Sequence, residues 1–291
     1  MSITITGLFV YPIKSCGGVS LRESELGEGG LRYDRNWMVV DADGKFLTQR
    51  SHPKMALVRT ELKFSELVIR APGMLRLDIL RDVIEDDDSV KVRVKVWRDE
   101  VDAVDEGDLA AHWFSTFLGQ PCRLVKIHPE ARRIANVERV EAWLDAHPEE
   151  ADGIARENVY AFADGFPLLI ANQQSLEDLN RRLREGGHAP IAHDRFRPNI
   201  VLSGLDAFDE DYVIRFTTAD GVSMALVKPC TRCEVPNTDQ HTGDVGVEPM
   251  GTLSGFRSHD IGITYGVNAV VSAPAGAVLK VGDEVEAALN F

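Results

Sequence analysis

The chain has 291 residues, of which 44% are hydrophobic and 27% are charged, as in ordinary folded proteins and unlike disordered or collagen-like chains. At about 150 residues per domain, this length predicts two domains. Lys and Arg number 32 and Asp and Glu number 46, which gives a formal net charge of −14. A protein of that charge repels a phosphate backbone, so we expect no nucleic-acid partner.

Cysteine use and hydropathy indicate the compartment. Four cysteines are too few for a disulfide framework, and the first residues lack the charged and apolar regions of a secretory signal. The longest nearly apolar stretch, residues 262–277, is broken by polar residues and a proline, and it is shorter than the roughly 18 residues that a membrane span needs. We therefore expect a cytoplasmic protein without a membrane partner.

The first third of the chain predicts antiparallel β structure. Short β-type runs alternate with turn signals up to about residue 104, and Asp43-Gly44 is a hairpin signal that favours a type I′ turn. These runs predict a barrel or a strongly bent sheet. The acidic run at residues 83–89 is typical of a solvated loop, and we assign it no function.

Apolar periodicity predicts two helices. The first covers residues 108–118 and ends at Gly119, and its apolar face consists of Leu109, Trp113, Phe114, Phe117 and Leu118. The second covers residues 175–184, with Ser175 as the N-cap and Asp178 in the capping-box position. Its buried stripe consists of Leu176, Leu179 and Leu183. Because β-type runs return after this helix, the second half is predicted to be mixed α+β.

The most informative motif places Cys230 and Cys233 in C-x-x-C spacing. A structural zinc site usually needs a second pair of ligands, but Cys16 and Cys122 stand alone, far from the motif. A thioredoxin-type dithiol opens a helix, whereas Pro236 predicts a loop here. Two buried structural thiols are a third interpretation.

The neighbours of the motif favour a different chemistry. Lys228 and Arg232 would stabilise a nearby thiolate, which is the form of cysteine that binds a soft metal. Residues 196–199 and residues 11–18 are loops that carry cations next to proline or glycine, and such loops can hold anions through backbone N–H groups and a cation. Taken singly, each of these signals is weak.

In combination, five segments resemble a known family. They are YPIKSC (11–16), LRYDRNWMVVD (31–41), ADGFPLLIANQQSLEDLN (163–180), RFRPNIVLSG (195–204) and KPCTRCEVPNTDQHTG (228–243). The chain resembles MOSC-domain proteins with an N-terminal MOSC β-barrel domain, within them most closely the bacterial and mitochondrial amidoxime-reducing branch. This resemblance implies an α+β, mostly β fold, with an antiparallel β-barrel-like domain in residues 1–120 and a β-barrel MOSC domain with peripheral helices in residues 121–291.

The resemblance implies the molybdenum cofactor, a pterin with a dithiolene and a phosphate, held by one cysteine of the protein. By matching motif positions, the metal ligand and catalytic residue is Cys233, and Cys230 is a neighbour that need not touch the metal. The implied cofactor-binding residues are Lys14, Ser15 and Arg35 in the first domain and Gly165, Phe166, Arg197, Asn199, Thr231, Arg232 and Asn268 in the second. Their cations would form a positive island for a polyanionic cofactor in an acidic protein.

Two departures from the family pattern affect this interpretation. The family usually has a Thr-Thr pair where this chain has Pro236-Asn237, so the substrate side of the metal is expected to differ. Some bacterial relatives continue into a [2Fe-2S] domain that needs four cysteines. We expect this chain to carry no iron–sulfur cluster of its own.

The resemblance predicts a molybdenum-dependent enzyme that reduces small N-hydroxylated compounds, namely amidoximes, hydroxylamines and N-hydroxylated bases. Its electrons would come from an external donor, a ferredoxin, flavin or haem reductase system. One alternative is a non-catalytic carrier of the cofactor, or of a persulfide on Cys233. Another is a barrel protein whose two motif cysteines are structural.

Overall fold

The computed structural model describes residues 2–82 and 90–290, so the acidic run predicted as a loop at residues 83–89 lies outside the described residues. The described strands are β1 (Ile3–Val10), β2 (Val19–Leu21), β3 (Glu23–Gly27), β4 (Gly30–Leu31), β5 (Trp37–Asp41), β6 (Arg59–Leu62), β7 (Glu66–Arg70), β8 (Leu77–Leu80), β9 (Lys91–Val96), β10 (Asp99–Asp105), β11 (Cys122–Ile127), β12 (Arg133–Ile134), β13 (Val159–Tyr160), β14 (Leu168–Asn172), β15 (Ile200–Ser203), β16 (Val213–Thr218), β17 (Ser223–Thr231), β18 (Ser258–His259), β19 (Gly262–Ser272), β20 (Val278–Lys280) and β21 (Glu284–Leu289). The described α-helices are α1 (Gly107–Leu118), α2 (Val137–Ala146), α3 (Gln173–Glu185) and α4 (Met250–Ser254). The predicted α+β, mostly β fold is confirmed.

The largest sheet in the described residues forms a closed seven-stranded barrel. Its strands follow the order β14-β15-β1-β21-β16-β17-β19, and pairing of β14 with β19 closes the ring. Closure leaves no strand edge of the ring open to pairing with another chain. Apolar side chains that alternate along these strands fill the interior, among them Ile5, Leu8, Ile170, Leu202, Phe216 and Met224.

A half-barrel sheet of order β5-β11-β10-β9 lies beside the barrel. Helix α1 packs on it and buries Trp113 and Phe114 against Trp37 and Leu124. The proposed domain boundary after residue 120 stays a prediction, because strands cross it in space. Strand β1 belongs to the barrel, and β11 pairs with β5 in the half-barrel.

The helix predictions are confirmed in position and corrected in detail. Helix α1 ends at Gly119, which is left-handed with φ 76°, but Leu109 is 73% exposed because Ala110, Trp113 and Phe114 form the buried face instead. Helix α3 begins earlier than predicted, since its N-cap is Asn172, whose side chain accepts a hydrogen bond from the Gln174 amide.

Ser175 is therefore not the N-cap of α3. It is fully buried within the helix, and its hydroxyl donates to the Glu210 carboxyl at 2.8 Å. The predicted stripe of Leu176, Leu179 and Leu183 is buried, as expected. Helix α2 was not predicted. None of the helices in the described residues is long and apolar enough to cross a membrane.

The hairpin at Asp43-Gly44 forms, but not with the predicted type I′ turn. Gly44 has a φ of 73°, whereas Asp43 is not among the positive-φ residues, and a type I′ turn requires positive φ at both. The Asp41 carboxylate accepts the amides of Asp43 and Lys45, and this bonding stabilises the alternative turn.

Candidate functional site

A cavity of about 340 Å³ lies where the barrel meets the half-barrel. All of the sequence-predicted site residues line it: Lys14, Ser15, Arg35, Gly165, Phe166, Arg197, Asn199, Thr231, Arg232, Cys233 and Asn268. Other residues also line it, among them Thr48, Arg50, Trp97 and Asp164, to which the sequence motifs gave no role, and Lys228 and Cys230, which belong to the cysteine motif. The fold thus brings together side chains that are far apart in sequence, while their roles stay predictions.

The half-barrel side of the cavity is built from two tight turns. Ser15 has a φ of 66° and Arg35 a φ of 50°, a left-handed conformation that is uncommon for residues other than glycine. The Gln49 side chain donates to the Ser15 carbonyl at 2.8 Å, and the Arg35 amide donates to the Tyr11 carbonyl at 2.9 Å. Such strained turns persist where surrounding contacts hold them, and they are frequent at functional sites.

Lys14 reaches the cavity with its ammonium already bound to the protein. The side chain is 6% exposed, and Nζ donates to Asp164 Oδ1 at 2.5 Å and to the Phe162 carbonyl at 2.8 Å. Burial lowers the pKa of Lys14, and the Asp164 carboxylate opposes that shift. The Trp97 indole donates to the same carboxylate oxygen at 3.0 Å. Asp164 thus binds both Lys14 and Trp97, which belong to the first half of the chain, and so links the two halves.

Arg35 and Asn199 are likewise engaged within the protein. Arg35 Nη1 donates to Asp34 Oδ2 at 2.5 Å and to Asn199 Oδ1 at 3.1 Å. Asn199 Oδ1 also accepts the Leu169 amide, and its Nδ2 donates to the Phe9 carbonyl. Asn199 therefore connects the segments that carry Phe9 and Leu169 within the barrel. Arg35 connects the half-barrel to Asn199.

Arg197 differs because part of its guanidinium is unsatisfied. The residue is 9% exposed, Nη1 donates to the Cys16 carbonyl at 2.5 Å, and the guanidinium lies 4.1 Å from the centre of the Tyr11 ring. Nη2 is buried and finds no hydrogen-bond acceptor in the described part of the chain. Burial lowers the pKa of Arg197 to about 10, so it remains a cation at neutral pH. A buried, unpaired charged donor is costly unless an acceptor reaches it.

The cysteine motif lies where β17 ends. Cys233 is exposed and Cys230 is half-buried, so the interpretation as two buried structural thiols is wrong. Arg232 Nη1 donates to Cys230 Sγ at 3.0 Å, and Nη2 donates to the Phe196 carbonyl at 2.8 Å. Of the two cations predicted to lie near a thiol, Arg232 therefore contacts Cys230. Arg232 Nε is buried, and none of the described residues accepts a hydrogen bond from it.

The other metal and redox interpretations of the motif find no support. Cys230 lies inside β17 and a short 3-10 helix, Val235–Asn237, follows the motif, whereas a thioredoxin-type motif opens an α-helix. Over residues 2–82 and 90–290, no group of three or more His, Cys, Asp or Glu side chains is placed to hold a metal ion. The thiol pair thus has no ligand set for structural zinc.

The remaining predicted residues line the barrel side of the cavity around the two thiols. Gly165 and Phe166 belong to the loop before β14. Thr231 is the last residue of β17, and Asn268 on β19 pairs with Lys228 on β17. Pro236 and Asn237, the departure from the family pattern, are buried and do not line the cavity.

Some cavity residues left little sequence signal. Arg50 stacks on Trp97 with its guanidinium 4.7 Å from the ring centre, and Trp97 has a φ of 56° at the tip of the β9-β10 hairpin. Asp164 stands directly before the predicted Gly165 in a segment that carried the family resemblance. Its position beside Gly165 is the one signal that could have pointed to it.

Fold and cavity together define a class: a closed β-barrel joined to a half-barrel, with an exposed thiol and buried cations at the junction. Comparison with known families agrees. The MOSC N-terminal beta barrel domain matches residues 2–121 and the MOSC domain matches residues 157–286. The chain belongs to the MOSC family, in the group whose MOSC domain follows that N-terminal domain, and the predicted resemblance is confirmed.

Individual relatives agree with this assignment. Mitochondrial amidoxime-reducing component 1 of Mus musculus is 34% identical over 263 residues, which are 88% of this chain and 72% of that protein. Molybdenum cofactor sulfurase of Oryza sativa subsp. japonica is 33% identical over 279 residues, 91% of this chain but 32% of the sulfurase. The crystal structure of the YUAD protein from Bacillus subtilis aligns over 100% of this chain and 98% of its own at 12% identity, with a TM-score of 0.41. The family assignment rests on the two family models and the sequence relatives.

Proposed function

We propose that this chain is a molybdenum-cofactor-dependent reductase of N-hydroxylated compounds, such as amidoximes, hydroxylamines and N-hydroxylated bases. One observation carries the proposal: an exposed thiol lies in the same cavity as two guanidinium groups with unsatisfied buried nitrogens. The 34%-identical mouse relative is named for amidoxime reduction, which supports the reaction class.

The cavity residues fit a cofactor that combines a soft metal with anionic groups. Cys233 offers a free, exposed cysteine sulfur, and cysteine sulfur is the type of ligand that soft metals prefer. Arg197 Nη2 and Arg232 Nε lack acceptors among the described residues, and an anionic ligand would supply them. Apart from Gly165 itself and its two chain neighbours, no described heavy atom lies within 4 Å of where a Cβ on Gly165 would stand, so a flat ring can approach that backbone.

The chain's own residues divide the work of binding. When bound, the cofactor would supply the two-electron chemistry that breaks an N–O bond, with the oxygen leaving as water. Cys233 would hold the metal, and its exposure leaves the side away from the barrel open to a substrate. Arg197 and Arg232 would hold the anionic groups. Lys14 would act mainly by keeping Asp164 and the half-barrel in place.

We further propose that a separate ferredoxin, flavin or haem protein delivers the electrons. The sequence has no G-x-G-x-x-G fingerprint for a dinucleotide. Cys16 and Cys122 are buried in the half-barrel core, whereas Cys230 and Cys233 line the cavity. The cysteines are therefore divided between two places and do not form the set that a cluster needs.

Two measurements test this function. Metal and pterin analysis of the purified protein should find both molybdenum and pterin, and absence of both after expression in a cofactor-producing host would overturn the proposal. The loaded protein should reduce benzamidoxime with a chemically reduced viologen dye but not with NADH alone. Turnover with NADH by the isolated chain would refute the external donor. A loaded protein that is inactive with the dye would favour a non-catalytic carrier of cofactor or sulfur, the alternative suggested by the sulfurase relative.

A further inference from the structure

The loop that carries Cys233 is held by an arginine to which the sequence motifs gave no role. We infer that Arg195 is a positioning residue, whose guanidinium fixes this loop so that the Cys233 thiol stands ready to bind a metal. The inference rests on the proposed function and deepens it, because it names the residue on which the placement of the ligand depends.

Arg195 uses its whole guanidinium fork on the loop after Cys233. Nε donates to the Pro236 carbonyl at 2.7 Å, and Nη1 donates to Asp239 Oδ2 at 3.0 Å. Nη2 donates to the carbonyls of Asn237 and Glu248 at 3.4 and 3.2 Å. The side chain is 12% exposed. A planar fork with these contacts fixes both the position and the orientation of the loop, which a lysine ammonium cannot do.

The residue after Arg195 holds the chain on the other side of the thiol. The Phe196 carbonyl accepts a hydrogen bond from Arg232 Nη2 at 2.8 Å, and Arg232 directly precedes Cys233. Residues 195 and 196 therefore anchor the chain both before and after the exposed cysteine. A ligand whose neighbours are fixed loses little conformational entropy on binding, so its affinity is higher.

Asp239 strengthens this anchor. Its Oδ1 accepts the amides of His241 and Thr242 at 2.8 and 3.0 Å, and these hydrogen bonds, with Arg195, hold the pKa of the Asp239 carboxyl below its usual value. Asp239 thus stays charged opposite Arg195. Pro236 and Asn237, which replace the usual Thr-Thr pair of the family, present their carbonyls to the same guanidinium.

The test compares two largely buried arginine side chains of the barrel half. Arg195→Met removes the fork but keeps much of the side-chain volume. Arg257→Met is the matched control. Arg257 is 8% exposed and pairs with Asp211, and neither Arg257 nor Asp211 lines the cavity. After gel filtration at a temperature where both variants are folded, we expect R195M to have lost at least tenfold more molybdenum than R257M. Arg195→Lys should recover part of the retention.

A second measurement needs no cofactor. In the metal-free protein, iodoacetamide labelling read by mass spectrometry gives separate rates for Cys233 and Cys230. We expect R195M to raise the Cys233 rate at least threefold, while R257M leaves it unchanged. Equal labelling and equal molybdenum retention in the two variants would overturn the inference. A selective change at Cys233 in a protein that never binds molybdenum would support the positioning role and reject the proposed function.

Discussion

The two walls of the cavity differ in how their charged groups are satisfied. On the half-barrel wall (Lys14, Ser15 and Arg35), the cations already bind Asp164 and Asp34. On the barrel wall (Arg197, Arg232 and Cys233), two guanidinium nitrogens find no acceptor in the described chain, and the thiol is exposed. Because unsatisfied buried donors are costly, we propose that the barrel wall is organised around a ligand. The half-barrel wall is organised around the contact between the two halves.

This difference has a structural origin. The half-barrel wall consists of turns that are held by distant partners, such as the Gln49 side chain on the Ser15 carbonyl. The barrel wall stands on the closed ring, where β17 pairs with both β16 and β19. Substitutions on the barrel wall should therefore change ligand content with little loss of stability. Substitutions on the half-barrel wall should reduce the stability as well.

The largest effect is expected from the cysteines. Cys233→Ala should abolish molybdenum retention, because one protein thiolate completes the proposed coordination. Cys230→Ala should leave most of the metal, because Cys230 Sγ is bound by Arg232. Metal analysis of both purified variants checks this. Equal metal loss in the two variants, or one equivalent of zinc in the unmodified protein, would replace the proposal with a C-x-x-C metal site.

A smaller effect is expected from Arg197→Met. The change removes charge-assisted hydrogen bonds to an anionic group, which contribute roughly 1.5 to 3 kcal/mol, so cofactor affinity should fall about tenfold to about 150-fold. Pterin content after dialysis measures the loss. The melting temperature should change little, because loss of the Nη1 hydrogen bond to the Cys16 carbonyl is offset by removal of the buried, unpaired Nη2 donor. A large drop in melting temperature with unchanged pterin content would show that Arg197 is structural and would break the contrast between the walls.

Lys14→Met should reduce stability more than it reduces cofactor content, which is the reverse of the result expected for Arg197→Met. It leaves the buried Phe162 carbonyl and the Asp164 carboxylate without their ammonium donor. We expect a loss of about 1 to 2 kcal/mol in the free energy of unfolding, measured by urea titration, and a smaller loss of pterin than in the Arg197 variant. If pterin loss exceeds that of the Arg197 variant at unchanged stability, Lys14 binds the cofactor directly and the two walls are equivalent.

Local sequence patterns predicted those features of the fold that depend on residues close together in the sequence. The stripe of Leu176, Leu179 and Leu183 is buried as its helical spacing indicated, because that spacing places the three side chains on one face. The position of Arg197 before β15 was also readable, since Pro198 and the apolar run after it predict a loop and then a strand. The gathering of the motif residues at one cavity was expected from the resemblance alone.

Contacts between distant segments were not readable from the sequence. Lys14 and Asp164 are 150 positions apart, and no local pattern indicates that they pair. Arg232 lies between the two cysteines in sequence, so which thiol it contacts depends on the bend at the end of β17. The N-cap of α3 is Asn172 because β14 ends there with extended backbone, φ −110° and ψ 136°. Ser175 was predicted as the N-cap instead because the end of β14 is not visible in the local sequence pattern.

The smallest effect concerns the pH dependence of the contact at Asp164. Although partial desolvation in the cavity acts to raise it, the Lys14 ammonium and the Trp97 indole hold the pKa of the Asp164 carboxyl below its usual value. A carboxyl whose pKa is lower in the folded state stabilises the fold above its unfolded pKa of about 3.9, and this contribution is lost as the pH falls further. Because the Asp164 side chain is 76% exposed, the contribution should be about 1 kcal/mol or less.

The substitution Asp164→Asn measures the contribution of the ionised Asp164 carboxylate to the free energy of unfolding. The unmodified protein should be the more stable of the two at pH 7 and at pH 5 by the same amount, since Asp164 is ionised in both states at both values. The difference should shrink below about pH 4, where the unfolded carboxyl gains a proton that the folded one resists. Urea titrations at pH 7, 5 and 3.5 measure this difference, with Asp220→Asn as control for the loss of one surface charge, because Asp220 is exposed in the turn between β16 and β17 and does not line the cavity. A difference that widens on acidification would mean that Asp164 is not stabilised as an anion, and the half-barrel wall would then lack its central contact.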